Sequence, residues 1–185
     1  MAEPTANPQA LLLLANLGRA RRPAGAAAPH SEPILPDSTV ASTQLAEVID
    51  RPVAAGDLAD LRRLQRAAVL AAEAVLAGET LDGAEINALA ADSTARVELA
   101  VTKGVPRRQL VWTDTSLAAA LARRLVEELG ALEPDRLRRC ARPECDLLFY
   151  DTTRSRTRRW HAEVPCGWRE RQRVHRTRHS ISNGS

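Results

Sequence analysis

Aromatic side chains make up 3% of this 185-residue chain, with one Phe, one Tyr and three Trp. The body therefore has to build an aliphatic core, from alanine and leucine. Cysteine is also scarce. Three is an odd number and too few for the disulfide framework of a secreted domain, and a chain of this length can bury a core without one. Long hydrophobic runs are missing: stretches such as Ala10 to Ala15 fall far short of the roughly 20 residues of a membrane span. The first nine residues carry Glu3 as their one charge, unlike the basic start of a secretory signal. These absences predict a protein of a reducing compartment, the cytoplasm, with no membrane partner.

Residues 1–134 also lack recognisable chemistry. They hold no Ser/His/Asp set, no glycine loop to cradle phosphate, and His30 as their one histidine. Glu73, Glu98 and Glu127 fall on helix or strand faces and read as solvated surface charge. No enzyme is expected, although the pattern leaves room for a buried small-ligand pocket.

The charges that are present are segregated. The chain is +3 overall. Residues 136–185 hold thirteen arginines against five acids, or +8, which leaves thirteen bases and eighteen acids, or −5, for residues 1–135. All three cysteines, three of the four histidines and two of the three tryptophans lie in the basic segment. An acidic body followed by a basic Cys/His segment is a two-part design. Of the 26 basic residues only Lys103 is lysine.

The body reads as mainly α-helical. Residues 8–17 predict a short buried helix ended by Gly18, residues 19–36 a proline-rich loop, and residues 38–50 a weaker helix before Pro52. Leu58, Leu61, Leu64, Ala68, Ala71, Val75 and Leu76 recur at helical spacing between Asp57 as N-cap and Gly78 as C-terminal glycine. Asp82 and Glu85 have capping-box spacing before Ile86 and Leu89. Val97, Leu99 and Val101, then Leu110 and Trp112, predict a β-hairpin across Lys103-Gly104, with Pro106 and a broad turn loosening its register. Asp114 is the expected cap of a helix carrying Leu117, Leu121, Leu125 and Val126, stopped by Gly130. Pro134 marks the expected boundary between a domain of residues 1–134 and a small module at 135–179, with a disordered tail over 180–185.

That module carries Cys140-x4-Cys145, fifteen residues, then His161-x4-Cys166. Two short-spaced pairs joined by a medium loop suit one tetrahedral zinc, because each pair grips the ion from one side. So arginine-rich a segment has no core of its own without such a staple. His175 and His179 are the alternatives to His161 as fourth ligand. Four protein ligands close the sphere, so the zinc is expected to be structural, and a zinc hydrolase is disfavoured. Leu147 to Tyr150 predicts a short strand, Asp151 to Thr157 a polar turn, and Arg158 to Trp160 a return strand. Phe149, Tyr150 and Trp160 are expected to form the module's own small core.

After Cys166 the sequence predicts a helix with Arg169, Arg173 and Arg176 on one face and Arg171 and Arg178 on the opposite one. Arg154, Arg156, Arg158 and Arg159 form a second cluster on the turn and its return. Two arginine clusters fixed by one metal suit a phosphate backbone, and arginine also reads guanine edges. Duplex DNA is the expected partner. RNA, through stacking on Trp160 or Trp168, and an acidic protein partner are the alternatives.

The run from Arg138 to Arg169, RRCARPECDLLFYDTTRSRTRRWHAEVPCGWR, resembles the CGNR zinc finger in its Leu-Phe-Tyr-Asp-Thr, Arg-Ser-Arg-x-Arg-Arg-Trp and Cys-Gly-x-Arg stretches. In that family the finger follows a mostly helical ABATE domain, which the body resembles in length, order and hairpin placement. The resemblance implies a treble-clef-like, DNA-binding finger and a stress-induced bacterial transcription regulator acting at the nucleoid. It further implies a body that senses a small-molecule effector; formation of a homodimer is the other role expected of the body. Two positions depart from the pattern. His161 stands where members usually have cysteine, and Trp168 replaces the namesake asparagine; three cysteines and one histidine remain a valid zinc set.

Overall fold

A computed structural model describes residues 7–17, 19 and 57–182, with side chains as far as Arg176. The expected helix at 38–50 and His30 lie outside the described residues, as does the expected loop at 19–36 apart from Arg19. Five α-helices and two small antiparallel hairpins are described. No helix among the described residues is long and apolar enough to cross a membrane.

Helix α1 (Gln9–Asn16) is the centre of the core, with Ala10, Leu11, Leu14 and Ala15 fully buried. It packs on α2 (Leu58–Ala77) and α4 (Leu117–Gly130), whose buried faces present Leu61, Leu64 and Ala68, and Leu117, Leu121 and Leu125. Each buried leucine contributes about 1.5–3 kcal/mol. Short helix α3 (Ala84–Ala90) closes the body with Ile86 and Leu89. The core is aliphatic, as the composition requires.

The caps differ in detail from the expectations. Asp57 stands at the N-cap of α2 but makes no side-chain capping bond. Gly78 does end α2, in the left-handed region at φ 68°, and Glu79 N–H donates back to the Ala74 carbonyl. Asp82 accepts from Ala84 N–H, whereas Glu85 turns outward to Arg63 rather than completing a box. Ser116, not Asp114, caps α4 by accepting from Ala119 N–H. Asp114 ends a strand instead, accepting from Ser93 Oγ at 2.7 Å and Arg123 Nε at 3.1 Å.

Strands β1 (Ser93–Thr102) and β2 (Val105–Asp114) form a ten-pair hairpin. Its turn is tight, not broad: Lys103 and Gly104 both have positive φ, 50° and 76°, the conformation that matches strand twist in a two-residue turn. Pro106 is accommodated opposite Val101 without loss of register.

After a 3-10 turn at Pro134–Arg136, β3 (Leu137–Arg139) pairs with β4 (Leu148–Tyr150). The partner of β4 thus precedes Cys140, and no strand forms at 158–160. The apolar residues also behave differently from the expected local core. Leu137, Leu148 and Tyr150 join the core of the body, so packing is continuous across Pro134. A wide turn at Glu163–Gly167, closed by Gly167 N–H donating to the Ala162 carbonyl at 3.3 Å, leads into α5 (Trp168–Ser182), which runs into the expected tail.

Candidate metal centre

Cys140 closes β3, and its N–H donates to the Leu147 carbonyl at 2.9 Å. Cys145 N–H donates to the Arg142 carbonyl at 2.9 Å, so residues 140–147 form a tight knuckle with both sulfurs on one side. Ala141 N–H takes the Arg159 carbonyl at 2.8 Å, which brings the returning chain, and with it His161, over the knuckle. Cys166 sits in the turn just before α5.

The four candidate donor atoms all lie within 4.8 Å of one another. His161 Nδ1 is 3.4 Å from Cys145 Sγ and 3.7 Å from Cys166 Sγ. These separations match the edge of about 3.6 Å expected for a tetrahedron with zinc–sulfur and zinc–nitrogen bonds of about 2.3 and 2.0–2.1 Å. The cysteines are buried, with Leu147 and Trp160 packed on them, and His161 is half-buried. Burial pushes the Cys145 thiol up to about 12, so metal binding has to displace its proton. The donor set fits one structural zinc ion, with every tetrahedral position filled by protein. His161 is the histidine of the cluster; His175 lies on exposed α5 outside it, and the His179 side chain is outside the described residues.

Side chains that the spacing did not single out surround this centre. Arg142 pairs with Glu144 at 2.8 Å and also reaches the Cys166 sulfur. Three thiolates and a neutral histidine around Zn²⁺ leave one net negative charge, which that guanidinium offsets. Asp151 is fully buried and accepts from Thr153 N–H at 2.9 Å, Thr153 Oγ1 at 2.6 Å and Arg158 N–H at 2.8 Å. Burial alone would raise its carboxyl, but these donors hold it below the usual carboxylate range. Asp151 thereby shapes the loop that delivers His161. Its place after an apolar triplet and before Thr-Thr was the available signal.

The eight candidate nucleic-acid arginines divide into three groups. Arg156 is paired with Asp135 and Glu133, Arg171 with Glu163, and Arg173 with Glu170. Arg158 is built into the finger: it donates to the Trp160 carbonyl at 2.9 Å and to the His161 carbonyl, and lies over the Phe149 ring. Arg154, Arg159, Arg169 and Arg176 are exposed, with Arg159 against the Trp160 ring. Trp168 is exposed at the start of α5. Gly167 lies under Glu163: a side chain there would come within 2.6 Å of Glu163 Oε2 and dislodge the carboxylate that holds Arg171.

A knuckle, a crossing loop and a helix after the last ligand, around three cysteines and a histidine, define a zinc-finger module. Residues 136–179 match the family model of the CGNR zinc finger. No curated protein matches the chain.

Proposed function

We propose that the protein is a zinc-finger transcription regulator that binds duplex DNA through the arginine-rich surface of its finger. The observation that carries this reading is the attachment of α5 directly to Cys166. The metal fixes the start of the helix, and hence the direction in which Arg169, Arg173 and Arg176 point. A rigid helix bearing guanidiniums suits phosphate contact and insertion into a groove. In this reading the finger is treble-clef-like, the zinc does no chemistry, and the helical body is an ABATE-like domain that senses a small-molecule effector. The setting is cytoplasmic, at the nucleoid.

The test is binding of zinc-loaded protein to duplex DNA over a range of salt. Four to six phosphate contacts give a log–log slope of roughly −4 to −5; a flat response removes the reading. Selection from random duplexes then reports sequence preference.

One observation favours a second reading, a protein-interaction module. Arg156, Arg171 and Arg173 already hold carboxylates in this chain, so the same surface suits an acidic partner. Retention of a protein partner without nucleic acid would select it.

A further inference from the structure

The β1–β2 hairpin projects from α4 as a ribbon about 34 Å long, at about 3.4 Å per residue. Its register puts Ala95 opposite Trp112, Val97 opposite Leu110 and Val101 opposite Pro106, all on one face. Apart from Trp112, over whose ring Arg123 of α4 lies at 4.6 Å, that face is uncovered among the described residues: Val97 is 64% exposed, Leu99 74%, Val101 67%, Leu110 44% and Trp112 39%. The other face carries Arg96, Glu98, Arg107 and Gln109 among threonines. A two-stranded ribbon is only marginally stable alone in water. An apolar patch of about 500 Å², as these exposures amount to, lies toward the upper end of what a monomer leaves open.

We propose that this face is a homodimer interface, in which two hairpins pack face to face and antiparallel about a two-fold axis. Charge argues for a second copy of the chain. From Leu99 to Gln109 the ribbon carries Lys103 at the turn and Arg108 on this face opposite Leu99, with Arg107 on the other face and no acid, while residues 1–135 as a whole are at −5. Asp92 is exposed at the base of the ribbon. An antiparallel pair sets each basic tip over the acidic base of the other copy, twice per dimer; a parallel pair would bring two basic tips together. Area argues the same way. Two such patches bury about 1,000 Å², where specific interfaces begin. Val97 and Leu110 lie midway along the ribbon and meet their own counterparts at the axis. The interface is independent of what the finger binds.

Sedimentation equilibrium of the full zinc-loaded chain across the micromolar range tests it. The wild type is expected at twice the 20.1 kDa chain mass. The double variant Val97→Asp, Leu99→Glu is expected at the single mass, with unchanged circular dichroism and zinc content. Arg108→Glu is expected to weaken the dimer by about tenfold, and added Asp92→Arg to recover part of that loss. A wild type that stays monomeric overturns the proposal, as does a dimer that survives in the double variant. So does a monomeric wild type whose melting temperature falls in the double variant, because the face is then covered by the chain itself.

Discussion

The side-chain amide of Asn16 pairs with the backbone of Leu148 as a strand would: Nδ2 donates to the Leu148 carbonyl at 2.9 Å, and Oδ1 accepts from its N–H at 2.8 Å. The last residue of α1 thus caps the free edge of β4, just past the cysteine knuckle. Asn16→Ala leaves both backbone groups without that partner in a partly buried place, at a cost of about 2 kcal/mol. At about 2–4 °C per kcal/mol for a chain of this size, the melting temperature is expected to fall by roughly 4–8 °C. Asn16→Asp is expected to lose at least as much, because a carboxylate then faces the carbonyl.

A second tie is ionic. Glu73 of α2 receives Arg19 at 2.7 Å and Arg139, next to Cys140, at 2.7 Å; Arg139 also pairs with Asp146, next to Cys145. Burial pushes the Glu73 carboxyl up, but the two guanidiniums outweigh it and hold it below the usual carboxylate range. A lowered carboxyl contributes stability that is present above its unfolded value and lost as pH falls through the folded one. Glu73→Gln is therefore expected to lower the urea midpoint at neutral pH, modestly because the pair is partly exposed. The difference from wild type should begin to shrink near the ordinary glutamate value of about 4.3 and close only below the lowered folded value.

Zinc removal is expected to reach the body, because Leu137, Leu148 and Tyr150 sit in the same core as Leu14 and Leu121. Cys145→Ser should lose the metal and keep the body helical, yet lower its melting temperature. The measurement is thermal melting with metal analysis, with and without chelator. Affinity for zinc should also fall on acidification, as the Cys145 proton competes.

Arg142→Ala removes the guanidinium beside the Cys166 sulfur while sparing every ligand. A loss of about 10–100-fold in zinc affinity is expected, read by competition with a chelating dye. Arg142→Lys should recover part of it, because charge matters there as well as shape.

If the finger binds DNA, its arginines should not contribute equally. Arg154→Ala and Arg169→Ala should each reduce the salt slope by about 0.9. Arg158→Ala is expected to act through loss of the loop and metal instead. Arg171 has to exchange the exposed carboxylate of Glu163, and Arg173 the half-buried one of Glu170, for a phosphate, so their slopes should change by less than a full unit.

Much of this arrangement was legible in the order of residues. The metal set followed from short spacing, since loops of four residues leave few places for two sulfurs. Helix α2 followed from its apolar period and Gly78, and the hairpin from alternation around Lys103-Gly104. Less legible were features that depend on partners distant in the chain. The pairing of β4 with β3 was not foreseen, because an apolar triplet does not name the strand beside it. Asp114 resembles a cap by position alone, and it serves Arg123 and Ser93 once the hairpin brings them near.

The sequence by itself determined the aliphatic core, the segregation of charge and the three cysteine donors, because local spacing and composition constrain those directly, while the fold brought His161 to them as the fourth. The tertiary structure alone decided how the finger is held. Glu128 of α4 caps α1 by accepting from Ala10 and Leu11 N–H at 3.0 and 2.9 Å. Asn16 then passes that anchorage to β4, and Glu73 clamps Arg139. Those contacts join residues far apart in the chain, where only the packing of the folded body brings donor to acceptor.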